Sequence, residues 1–192
     1  VCRTCPRVGC VLVGSGGGAT FTRSYATGSV SGFERVGGLV GNGPGATYTD
    51  SYATGAVAGT FQYVGGLVGN GQAATFTGSH ASGAVVVVSG RYVGGLVGSG
   101  VSATFNNSYA EGSVSAGSEV GGLVGEGFNA TYTDSYATGN VEGTNSGVGG
   151  LVGTGSGSTY TRSYATGSVK GFDLVGGLVA NGGGSTFTDS YA

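Results

Sequence analysis

Charge is scarce in this chain of 192 residues: Asp, Glu, Lys and Arg together make up 8% of it, where about a quarter is usual. The basic residues are scattered and the formal net charge is -2, so no basic patch for nucleic acid and no polybasic segment for anionic lipid can be drawn. No apolar run approaches the ~20 residues that a membrane-spanning helix needs, which argues against direct membrane insertion. There is one histidine, His80. Acidic residues recur at one repeat position as Asp50, Asp134 and Asp189, but Arg23, Gly78, Asn107 and Arg162 take the same position elsewhere. A catalytic site would not tolerate that exchange, so these read as solvated corner residues, and the chain is expected to be no enzyme and to carry no cofactor. The glycine clusters "GGGAT" and "GNGPG" lack the GK[ST] ending of a phosphate loop. The nonapeptide spacing of calcium-binding repeats is absent as well.

Cysteine is scarce and confined to one end, as Cys2, Cys5 and Cys10. A zinc site wants four ligands and His80 lies far off in sequence, which disfavours a metal. The three cysteines read either as one local disulfide with a spare thiol or as a thiol used between chains, in an oxidising extracellular setting. The chain starts at Val1 with no initiator Met and no recognisable signal peptide, and reads as a mature or excised piece.

What the chain has in abundance is glycine, 46 of 192 residues, against a usual ~7%. Glycine makes an ordered core costly in backbone entropy, and its frequency along the chain nearly excludes helix. A regular, repeated pairing scheme reconciles low charge with high glycine. The repeat is plain. "VGGLVG" stands at 36–41, 64–69, 93–98, 120–125 and 148–153, with "VGGLVA" at 175–180 and a decayed "GCVLVG" ending at Gly14. Between these blocks lie "SYATG", "SHASG" and "SYAEG", and the period is 27 to 29 residues.

Inside the unit the period is two. "ATFT" (19–22) puts Ala19 and Phe21 on one strand face and Thr20 and Thr22 on the other. Three short strands per unit are expected, around "ATFT", "SYATGxV" and "VGGLVG". The fold class that follows is all-β: a right-handed parallel β-solenoid of about seven 27–29-residue coils. Residues 1–14 form a Cys-containing N-terminal coil or cap, and 15–192 form one continuous solenoid. Stacking aligns like on like, so Phe21, Tyr48, Phe76, Phe105, Tyr132, Tyr160 and Phe187 are expected to form an inward ladder. The glycines of "VGGLVG" are expected where a close neighbouring sheet leaves no room for Cβ.

"VGGLVG" followed by "SYATGxVxG" resembles the GLUG motif, a short repeat of bacterial cell-surface and secreted proteins. The resemblance covers nearly the whole chain. It implies an extracellular or cell-surface display or stalk segment and no catalytic residue, since nothing here matches a zinc-protease motif such as HExxH.

Two rows of side chains are the functional candidates. The first is a TxT array: Thr20, Thr22, Thr47, Thr49, Thr75, Thr77, Thr104, Thr131, Thr133, Thr159, Thr161, Thr186 and Thr188, with Asn106 in the remaining place. It is expected to be flat and solvent-facing, and it resembles the ice-binding face of β-solenoid antifreeze proteins; threonine is equally a good strand former on a wet face. The second is the stripe of Tyr25, Tyr52, Tyr109, Tyr136, Tyr164 and Tyr191, which His80 interrupts. Pointing in, it is core; pointing out, it offers a surface to glycans or to a neighbouring chain. Three functions are therefore expected in order: an extracellular structural or adhesive solenoid that self-associates head to tail, with Cys2 and Cys5 at the junction; an ice-binding protein; and a carbohydrate-binding adhesin module. Its partners would be copies of itself, with glycans or ice as the other candidates.

Overall fold

The computed structural model describes residues 12–192. Cys2, Cys5 and Cys10 lie outside the described residues. The rest is a β-solenoid of about six coils without a helix, in which every strand pairs in parallel with its counterpart one repeat away.

Five sheets run along the axis. A threonine sheet holds Thr20–Thr22 and its six equivalents, through Thr186–Thr188. A tyrosine sheet of two-residue strands begins at Tyr25–Ala26, and a valine sheet at Val30–Gly32. Two glycine sheets come from the "VGGLVG" block: the first opens with Val36–Gly37 and includes Gln62–Gly65, the second opens with Val13–Ser15 and includes Val40–Asn42. Val13–Ser15 pairs with Val40–Asn42, so the solenoid runs across the boundary expected between residues 14 and 15.

Five strands per coil replace the three expected, because each long block is bent inside. "VGGLVG" is broken at Gly-Leu and "SYATGxV" at Thr-Gly. Three positions per coil also take a left-handed backbone. They are the residue before "SYA" (Arg23, Asp50, Gly78), the residue before "VGG" (Arg35, Tyr63, Tyr92), and the turn residue two before TxT (Gly18, Gly45, Ala73). Gly and Asn hold such a conformation without strain, whereas Tyr63, Tyr92 and Leu174 hold it with the residues before and after them fixed in the ladder.

The bends enclose two cores. The larger stacks the Phe/Tyr column, Leu39, Leu67, Leu96, Leu123 and Leu151, a column of valines and two of alanines. The smaller is almost pure valine, from Val30 and Val36 to Val148. Between them the two glycine sheets meet with no side chain in the gap, where sheets normally lie ~10 Å apart. A Cβ on Gly37 would lie 2.7 Å from the Gly69 nitrogen and 2.8 Å from the Leu67 oxygen, and one on Gly41 would lie 2.6 Å from the Arg35 oxygen. The middle glycine faces the other way. A Cβ on Gly95 would lie 2.9 Å from the Ala110 Cβ and run into the Gly122 carbonyl oxygen. The expected steric role of these glycines is therefore present at all three positions of the block.

This geometry predicts that Gly95→Ala costs at least ~2 kcal/mol of stability, because backbone rather than a flexible side chain must yield. Gly183→Ala, whose Cβ would come no closer than 3.7 Å to another side chain, the Ser156 Oγ, should change stability by less than ~0.5 kcal/mol. Chemical denaturation of the two variants checks the contrast.

Candidate functional site

The threonine sheet presents the first candidate surface. Its seven strands are in strict register: Thr20 pairs with Thr47, Thr47 with Thr75, Thr75 with Thr104, and so to Thr186. The outer row behaves alike, with Asn106 paired between Thr77 and Thr133. The threonines are exposed or half-exposed, while the ring between each pair is buried from Phe21 to Tyr160. Successive rings beneath the face stack 4.7 to 5.0 Å apart, within 5° of parallel, in the offset-stacked range for aromatic pairs. Phe187 belongs to the ladder but has a neighbour on one side only and is half-exposed.

Beyond the threonines the chain turns through the left-handed residue, and the turn shifts the alternation by one. The following Ser then points in, Tyr points out and Ala points in. Ser51, Ser79, Ser108, Ser135 and Ser163 are fully buried. Each Oγ donates to the carbonyl two residues back, at 3.0 to 3.2 Å, and accepts the N–H of the serine in the preceding coil at 3.2 to 3.3 Å. The sequence reading passed over this column. Its signal was a Ser before Tyr or His in every repeat, a position where an exposed residue would vary.

The tyrosine stripe therefore lies outside the core. The rings of Tyr52, His80, Tyr109, Tyr136 and Tyr164 are half-exposed and stack at 4.7 to 5.1 Å. His80 is a full member, lying 7° from parallel with Tyr52 and 2° from Tyr109. Loss of hydration lowers its basicity, with the Glu111 carboxylate pulling the other way. Because both faces of each interior ring are covered by neighbours, the stripe offers edges and hydroxyls. A sugar that stacks on an aromatic needs a free ring face, and only the end rings have one.

The corner residues are exposed or half-exposed, as expected of Asp50, Asp134 and Asp189. Arg162 reaches across one coil to Asp134 with Nε to Oδ1 at 2.6 Å and Nη2 to Oδ2 at 2.8 Å, which holds the Asp134 carboxyl below its usual range. At the left-handed position before "VGG", Tyr63 and Tyr92 stack at 5.3 Å, with the Arg91 guanidinium 4.6 Å from the Tyr92 ring. Among the described residues no three His, Cys, Asp or Glu side chains come together.

The class of protein these observations define is a parallel β-solenoid carrying uninterrupted side-chain ladders on its surface. Comparison with family models, curated proteins and solved structures finds no match to the chain.

Two outcomes follow for the buried polar groups. The hydroxyls of Tyr48 and Tyr132 are buried without a hydrogen-bond partner, so Tyr132→Phe should stabilise by about 1 kcal/mol. Ser135→Ala, which orphans the Ser108 N–H, should destabilise by about 1 to 3 kcal/mol. Burial also raises the phenols of Tyr48, Tyr132 and Tyr160 above their ordinary value of 10.0. A raised folded-state value means that the folded state holds the proton more tightly than the unfolded one. That stability is complete below pH 10 and falls as the pH climbs from there toward the folded-state values. Denaturation midpoints should decline as the pH rises above 10 in the parent and decline less in the three Tyr→Phe variants combined.

Proposed function

We propose that this protein is an extracellular structural and adhesive solenoid of the GLUG-repeat kind, and that copies of the 192-residue chain associate head to tail. The observation that carries the reading is the match between the two edges of the stack. At one edge the Phe187 ring is 48% exposed, although its counterpart Tyr160 one coil earlier is fully buried. The neighbours that Phe187 and Tyr191 lack are rings, and at the other edge of the described stack Phe21 and Tyr25 occupy the same repeat positions. Thr20–Thr22 would add to Thr186–Thr188 as Thr159–Thr161 already pairs with it, and Tyr25 would cover the free face of Tyr191.

Charge follows the same order. Arg162 pairs with an aspartate in the coil before it, and Arg23 of a second copy would stand in that relation to Asp189. An unpaired parallel edge is a template for another strand, and a contact between two different surfaces that does not close grows a filament. The composition and the GLUG resemblance support an extracellular or cell-surface setting, where Cys2, Cys5 and Cys10 could join copies covalently. The ladders support an adhesive or structural role in preference to a catalytic one.

Electron microscopy and sedimentation of the purified chain test this. Filaments with a subunit rise of about 33 Å are expected, the seven strands of the threonine sheet at a strand spacing of ~4.7 Å. Asp189→Lys, which sets Lys against Arg23, should raise the concentration needed for assembly, while Glu142→Lys on an interior coil should leave it unchanged. A particle that stays monomeric at high concentration under oxidising conditions would contradict the proposal.

A further inference from the structure

We infer that the threonine face binds ice. The inference does not rest on self-association, since the face belongs to a single chain.

The surface is periodic in two directions. Along the axis its step is set by the rings directly beneath the threonines, 4.7 to 5.0 Å from one coil to the next. Across each strand the two threonines stand about 6.6 Å apart, two residues of extended chain. The axial step is close to the distance between equivalent oxygens along the a axis of hexagonal ice. A ligand that is itself a lattice is the one that can use six nearly equal steps at once.

The surface is also fixed before any ligand arrives. From Thr20 to Thr161 each threonine stands on a strand whose central ring is buried and stacked, and a β-branched side chain has few rotamers to lose. A preorganised array avoids the ordering cost that weakens binding by flexible groups. On one flank the turn residues at the left-handed position include Gly18, Gly45, Ala73 and Gly157. Every threonine offers a hydroxyl that both donates and accepts, next to a methyl group. Neither row contains a charged residue that would impose its own hydration shell.

Other ligands fit less well. Protein partners are anchored by buried Trp, Tyr or Arg side chains, and the face has none. Glycans that stack on aromatic rings need ring faces, and here the rings lie underneath.

Thermal hysteresis and ice shaping by the purified chain at micromolar concentration are the measurements. The parent is expected to show both. Thr75→Tyr and Thr131→Tyr each raise a ring from the middle of the plane and should abolish hysteresis, with the β-rich circular dichroism retained. Ser115→Tyr, exposed on the valine sheet, should retain it. Asn106→Thr completes the outer row and should increase it. A folded parent without hysteresis overturns the inference, as does an equal loss in Ser115→Tyr and Thr131→Tyr. If the tyrosine variants do not fold, Asn106→Thr decides, and unchanged hysteresis in that variant overturns the inference.

Discussion

Zero-offset parallel pairing is the constraint on which the rest of this molecule depends. Each strand bonds to the strand one repeat before and one repeat after it, so a residue's neighbours along the axis are its own counterparts. A position can then be filled only by a side chain that packs well against itself. Phenyl and phenol rings do so by offset stacking, leucine and valine by interdigitation, and serine by passing one hydrogen bond from coil to coil. Charge does so poorly, because like charges directly opposite repel. Where charge occurs it alternates, as in Asp134 with Arg162 and Glu142 with Lys170. The low charge of the chain is thus a consequence of its architecture, and exposed pairs of this kind add little stability in any case.

Glycine has its place in the same constraint. Folding the "VGGLVG" block back on itself divides one coil into two cores, and the two limbs touch through backbone alone. Any Cβ at Gly37 or Gly41 would separate the limbs, and because the contact repeats in each coil, a single intrusion disturbs the coils on either side. The entropic cost of glycine is offset by two cores that are dry and continuous along the axis. If copies add end to end as proposed, each junction would also lengthen the threonine rows, so the two proposed properties reinforce one another.

The period, the all-β class, the inward Phe/Tyr ladder and the outward threonines were legible because strict alternation in "ATFT" leaves one assignment open. The orientation of Tyr52 and its equivalents was not. It depends on whether Asp50 continues the strand or turns it, and Asp50 has a φ of 49°, a conformation that nothing in the letters "TDSY" requires. That one residue reverses the phase, which places Ser51 inside and Tyr52 outside. The split of "VGGLVG" into two strands was hidden for a similar reason. Glycine signals both a bend and a close approach, and here Gly37 and Gly38 do both. The left-handed backbone at Tyr63, Tyr92 and Leu174 could not be read at all, since those residue types argue against it.

The measurement that tests the stacking account most directly is the excision of one whole coil. Removing residues 104–130 joins Ala103 to Thr131, which already pairs with Thr104 in register. The account predicts that the shortened chain folds cooperatively, keeps its β-rich circular dichroism, and is shorter along its axis by one step of about 4.9 Å in solution scattering. Removal of half a coil should abolish folding. A chain that unfolds on loss of a complete coil, or that tolerates half a coil equally well, would contradict it.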